Sequence, residues 1–207
     1  VVYFVDTYAN YHDPQLAEAL VRVLEHNAVA VYVHPHQLSS GMPMISLGAL
    51  SAARKLAEQN VALLADAIRQ GYHVVATEPS AALALTHEYP LLFDDDDARL
   101  VAANTSEACS YLWKLHQSGK LELDLKPVNA VLGYHMPCHL KALGAGSPGE
   151  WLLRLIPGLI VNRTENGCSG MAGTFGLQRK NYRASLRAGR GLINSLRGPR
   201  LQAGTTE

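Results

Sequence analysis

Three cysteines, Cys109, Cys138 and Cys168, carry most of the chemistry that this sequence of 207 residues has to offer. An odd number of widely spaced thiols does not suit a disulfide framework in a chain this long, which leaves metal binding or packing as their roles. Thiolate sulfur is a soft ligand that selects iron–sulfur clusters or zinc over hard cations. Cys138 lies in the segment YHMPCHLKALG, flanked by His135 and His139, and Cys168 is followed at once by Ser169. Zinc held by both cysteines and a histidine is one reading of these residues. A nucleophilic Cys138 paired with His135 or His139 is another, although no oriented third group or oxyanion motif accompanies it. The glycines between Gly170 and Gly176 invite a phosphate-loop reading, yet the lysine of a P-loop and the dinucleotide glycine spacing are both missing. Cys109 fits no motif and reads as a packed helix thiol. The run Asp94 to Asp97 places four carboxylates on one helical turn pointing in four directions, which predicts a solvated helix N-terminus rather than a hard-cation site.

The elements that must position these residues alternate between strand and helix. Val1 to Val5 reads as a buried strand, Asp13-Pro14 opens a helix through Leu16, Leu20, Val23 and Leu24, and Ala28 to Val33 predicts a second strand. Apolar spacing from Ala53 to Ile68 marks a long helix ended by Gly71, and Tyr72 to Thr77 is a third strand. Helices are expected at Ala81 to Tyr89, stopping at Pro90, then at Asp94 to Ala103 and Ser106 to Gln117. Lys120 to Pro127 reads as a linker. The pattern then returns, with a strand at Ala130 to Tyr134, a short helix at Trp151 to Ile156, a strand at Leu159 to Val161, a long helix from Tyr182 to Leu196, and a final strand starting at Leu201. Such alternation predicts an α/β fold with mostly parallel sheets, flanking helices and right-handed crossovers.

The two halves repeat in spacing as well as in character. Tyr8 to Ser39 is 31 positions and Cys138 to Cys168 is 30. Ser39-Ser40-Gly41-Met42 aligns with Cys168-Ser169-Gly170-Met171, and the 37 positions from Ser40 to Thr77 equal those from Ser169 to Thr206. The expected organisation is therefore two pseudo-symmetric βαβ-type repeats, residues 1–93 and 128–207, separated by a helical insert and linker at 94–127. Beginning on Val1 and stopping on Thr205-Thr206-Glu207, the sequence has the look of a stretch cut from a longer polypeptide.

The segments YHMPCHLKALG and NGCSGMAGTFGLQRKNY, together with DTYANYHDP, SSGMP and TEPSAALALTHEYP in the first half, resemble the cysteine-rich CCG domain family. That domain occurs in duplicate in subunits of heterodisulfide reductase, glycolate oxidase and anaerobic glycerol-3-phosphate dehydrogenase, and in the C-terminal part of FAD-linked oxidases. The resemblance covers essentially the whole chain. It implies that each repeat offers one cysteine after its first strand, a Cys-Cys-Gly turn some thirty positions later and a Cys-x-x-Cys after the next strand. It also implies thiolates converging on an iron–sulfur cluster such as 4Fe–4S. Carried over, the first repeat has Tyr8, Ser39, Ser40, Pro79 and Ala82 at the cysteine positions, so it is expected to hold no cluster and to act as scaffold. The second retains Cys138 and Cys168 as metal ligands, with Ser169 and His139 beside them at the cofactor, and the sequence stops before its Cys-x-x-Cys. About four protein ligands are the norm, so a cluster is expected only in the full-length protein.

Function follows from that resemblance as an expectation. The chain would be an electron-transfer module of a flavin-linked oxidoreductase acting on glycerol 3-phosphate, glycolate or lactate, with FAD on another domain or subunit and flavoprotein and ferredoxin-like domains as partners. A redox-inactive assembly or docking domain is the alternative. Eighteen basic and eighteen acidic residues cancel, so no long-range field points to nucleic acid. No apolar run approaches the roughly 20 residues of a membrane helix. A cytoplasmic location, with membrane association only through partners, is the corresponding expectation.

Overall fold

The computed structural model describes residues 1–164 and 167–197, which divide into two compact units, Val1–Glu122 and Leu123–Glu207. The chain is mixed α/β, with short parallel strands in two small sheets.

The first unit forms around a fully buried three-stranded parallel sheet. Strand β1 (Val2–Phe4) pairs with β2 (Val74–Ala76), which pairs with β3 (Thr105–Glu107). All six residues of β1 and β2 are completely excluded from solvent, as expected of parallel strands covered on both faces. Between β1 and β2 run α1 (Thr7–Tyr11), α2 (Pro14–His26), α3 (Met42–Ser46) and the long α4 (Leu50–Arg69). Helix α4 lays Ala53, Ala57, Val61, Leu64 and Ile68 against the core at helical spacing. After β2 come α5 (Pro79–Leu83), α6 (Tyr89–Leu92), α7 (Asp96–Ala103) and, beyond β3, α8 (Ala108–Gln117).

Three local expectations change here. The strand at residues 28–33 reduces to one bridge, Tyr32 beside Val2. Ala28 adopts φ 56 to leave α2, and Pro35 follows too closely for a ladder to grow. Helix does not stop at Pro90. The helical run continues from α5 through a wide π turn over Ala84–Glu88 into α6, and that wide turn ends just before Pro90, whose ring and missing N–H disfavour an ordinary α turn there. Residues 105–107 lead into α8 not as helix but as the edge strand β3, whose polar Thr-Ser-Glu run is buried. Asp94 to Asp97 form the expected N-terminus of α7: Asp95 caps it by accepting from the amide of Asp97 at 2.6 Å.

The second unit holds a two-stranded parallel sheet, β4 (Ala130–His135) with β5 (Leu159–Thr164), in register from Ala130 opposite Leu159 to His135 opposite Thr164. Helices α9 (Cys138–Ala142) and α10 (Pro148–Leu153) connect them. The predicted long helix is two helices, α11 (Tyr182–Ala188) and α12 (Arg190–Arg197), broken at Gly189. A β-carbon there would lie 2.7 Å from the Ser169 carbonyl oxygen, so the break sits where the helix meets the loop after β5. The expected strand at Leu201, and the alignment of Thr206-Glu207 with Thr77-Glu78, lie outside the described residues.

Candidate cluster-ligand turn and its duplicate

Both candidate ligand cysteines leave the same edge of the second sheet. Cys138 is the first residue of α9, three positions beyond the end of β4, and is exposed; Cys168 follows β5 by four positions and is half-buried. Carboxyl ends of adjacent parallel strands are where open α/β sheets gather ligands. The backbone around Cys168 is shaped with little freedom. Gly170 has φ 82, and a β-carbon on it would fall 2.1 Å from the carbonyl oxygen of Ser185 in α11. That turn aims the Gly170 amide at the Cys168 sulfur, which accepts a hydrogen bond at 3.2 Å, while Met171 N–H donates to Ser169 Oγ at 3.4 Å. An amide aimed at a ligand sulfur stabilises added negative charge on it, a standard means of raising a reduction potential.

Ser169 is exposed and bonded to its own turn, and His139 lies half-buried on α9. His135 closes β4 with both ring nitrogens shut off from solvent. Burial first, and Lys141 second, push its pKa below the usual imidazole range, which favours the neutral ring. Among the described residues, no three His, Cys, Asp or Glu side chains come together as a metal-binding group. The zinc reading therefore finds no assembled site. Two thiolates are about half a usual cluster ligand set, so the described residues fit the start of such a site and do not complete it. Cys109 sits in α8 with its thiol pushed up to about 12 by burial and then by Glu107, far from thiolate chemistry.

The first unit builds the same turn from oxygen. Gly41 has φ 73, its amide donates to Ser39 Oγ at 3.4 Å, and Met42 N–H donates to Ser40 Oγ at 3.3 Å. Position for position, these two bonds match those at Cys168 and Ser169. Around the turn lies a buried polar network that sequence reasoning missed. Ser40 donates through both its amide, at 3.0 Å, and its hydroxyl to the Asp6 carboxylate. Asn60, fully buried on α4, accepts from Leu38 N at 2.8 Å and donates to Ser39 O at 3.0 Å. The Tyr89 hydroxyl donates to Ser40 O at 3.0 Å. Glu78 accepts from the amides of Tyr8, at 2.7 Å, and Ala9, at 3.0 Å, at the start of α1. Desolvation, with the Asp6 charge adding to it, raises the Glu78 carboxyl to about 7. Glu78 immediately precedes the Pro79 and Ala82 positions, and that neighbourhood was the one available signal of its role. Tyr8 itself is half-buried on α1, and a cleft of about 400 Å³ at the end of β1 is lined by Asp6, Asn10, His34, Gln37 and Ser39 among others.

Over 197 residues, 95% of its length, the chain is 34% identical to a subunit of the anaerobic glycerol-3-phosphate dehydrogenase of Escherichia coli. It is 30% identical over 176 residues, 83% of its length, to a subunit of the fumarate reductase (CoM/CoB) of Methanothermobacter marburgensis, covering 32% of that protein. It is 25% identical over 186 residues, 86% of its length, to lactate utilization protein A 2 of Bacillus mycoides, covering 74% of that one. The chain belongs to the cysteine-rich CCG family. No family model matches it. By their names, two of these relatives are subunits of redox enzymes, a dehydrogenase and a fumarate reductase. The CCG chain spans about half (49%) of the glycerol-3-phosphate dehydrogenase polypeptide it matches. No described helix is long and apolar enough to cross a membrane.

Proposed function

We propose that the chain is an electron-transfer module of a larger flavin-linked oxidoreductase. Its second CCG repeat contributes Cys138 and Cys168 to an iron–sulfur cluster whose remaining ligands come from elsewhere in the full protein. The observation that carries this reading is the amide-to-sulfur bond from Gly170 to Cys168, on a turn that α11 holds rigid. A cluster there supplies one-electron exchange. The chain's own residues position two thiolates at one sheet edge and present the Gly170 amide to one of them. Residues 1–93 and 128–207 form the two repeats in this reading, the first a scaffold whose cysteine positions carry tyrosine, serine, proline and alanine. FAD lies on another domain or subunit, and glycerol 3-phosphate, glycolate or lactate is the class of substrate oxidised there. Partners are flavoprotein and ferredoxin-like units.

Anaerobic reconstitution of the full-length protein, followed by iron and sulfide analysis and EPR, tests this. Uptake that falls in Cys138→Ala and Cys168→Ala but persists in Cys109→Ala supports it. Absence of iron uptake by the wild type removes the relay and leaves the second reading, an assembly domain without redox chemistry, which the oxygen-built turn of the first unit favours.

A further inference from the structure

The chain's charges balance overall but not locally. From Gly167 to Arg197 there are six basic residues, Arg179, Lys180, Arg183, Arg187, Arg190 and Arg197, and no acidic one. All six are exposed. The arginines elsewhere behave differently: Arg22, Arg54, Arg69, Arg99, Arg154 and Arg163 each have a carboxylate partner. None of the six forms an ion pair with a described residue. Tyr182, Leu186 and Leu196 stand among them, 57%, 45% and 45% exposed.

We infer that the face formed by α11 and α12 is the docking surface for an acidic redox protein that exchanges electrons through the Cys168 turn. The inference rests on the electron-transfer reading and names the chemistry of its partner. Five of the six cations are arginine, whose planar forks pair two-pronged with carboxylates and desolvate more readily than ammonium groups. Arginine and tyrosine with isolated aliphatic contacts is the composition that anchors protein interfaces, while charges at the rim steer the encounter and speed it. The place of the surface gives it meaning. Ser185 of α11 meets Gly170 so closely that no β-carbon fits, and Gly189, between the two helices, meets the Ser169 carbonyl in the same way. A partner seated on α11 and α12 thus rests on the helices that pack against the ligand turn.

The test uses the full-length protein and, as probe, an acidic plant-type 2Fe–2S ferredoxin, with binding measured by calorimetry at several salt concentrations. Wild type is expected to bind, with affinity falling about tenfold or more between low salt and about 300 mM. Arg183→Glu with Arg187→Glu is expected to lose about tenfold or more at low salt, whereas Arg22→Glu, on the first unit, leaves binding unchanged. Iron content and EPR are recorded on the same samples, which keeps the two readings apart. Salt-dependent binding without a cluster sustains the docking surface and removes the relay. A loaded cluster with no binding, or with binding indifferent to the double reversal, overturns the docking surface. Binding to anionic phosphatidylglycerol vesicles instead of the ferredoxin, or self-association with the same salt dependence, overturns it as well.

Discussion

The amide of Gly170 donates to the sulfur of Cys168 across 3.2 Å, and the φ of 82 that permits this geometry leaves no room for a side chain. Gly170→Ala must therefore displace α11 or unwind the turn. We expect a loss of roughly 2–4 kcal/mol, read as a lower urea midpoint, because left-handed strain and a backbone clash add together. Full-length Gly170→Ala should also take up less iron than wild type. Unchanged stability would mean that α11 does not press on the turn.

Glu78 gives a pH dependence with a definite sign. Its carboxyl titrates near 7 in the fold against 4.5 when free, so between those values the native state holds a proton that the unfolded state has released. Wild-type stability accordingly falls as pH rises from 4.5 through about 7 and is level above that on account of this group. Glu78→Gln keeps an oxygen for the Tyr8 and Ala9 amides but cannot ionise. Its advantage over wild type should grow across that window and reach the order of 1–3 kcal/mol at pH 8, measured by urea unfolding at a series of pH values. A difference that does not vary with pH would exclude this assignment.

Asn60 joins α4 to the turn of the first unit. Replacing it with alanine strands Leu38 N–H and two carbonyl oxygens, and removes the donor to the Tyr89 hydroxyl, which keeps its own bond to Ser40 O. We expect a cost of about 3 kcal/mol, detected as a fall in the thermal midpoint, since unsatisfied buried groups bear the full desolvation penalty. Asn60→Asp should do nearly as badly, because a carboxylate cannot donate to Ser39 O.

The three cysteines should separate by reactivity. Cys138 is exposed at the start of a helix, whereas the Cys109 thiol is buried and pushed up to about 12. Iodoacetamide at pH 8, followed by peptide mass mapping, should label Cys138 first and Cys109 last, by about a hundredfold or more in rate. Equal labelling would contradict the packing of α8.

Much of this architecture is legible in the sequence. The apolar runs at Val2–Phe4 and Val74–Ala76, the spacing along α4 and the matching turns at Ser39 and Cys168 all encode local preferences that tertiary contacts only confirm. What escaped notice depends on distant partners. Helix α1 is five residues long with no periodicity, and a carboxylate 70 positions away holds its first amides. Strand β3 is Thr-Ser-Glu, featureless until β2 lies beside it. Asn60 looks like a surface residue in a helical run, and its burial follows from a loop folding over α4. The break at Gly189 likewise reflects the Ser169 carbonyl, which no helical pattern reveals.

The first unit builds the shared turn with serines at the cysteine positions, so its shape does not depend on thiolate ligands. Where serine stands for cysteine at residue 39, the same amide still finds a side-chain acceptor and the following glycine keeps its left-handed twist. Backbone shape in the first unit is thus settled by the chain alone, unlike a zinc finger, which folds only around its ion. On the proposed reading a cluster would meet a turn already shaped by the chain, and its loss should leave that turn folded.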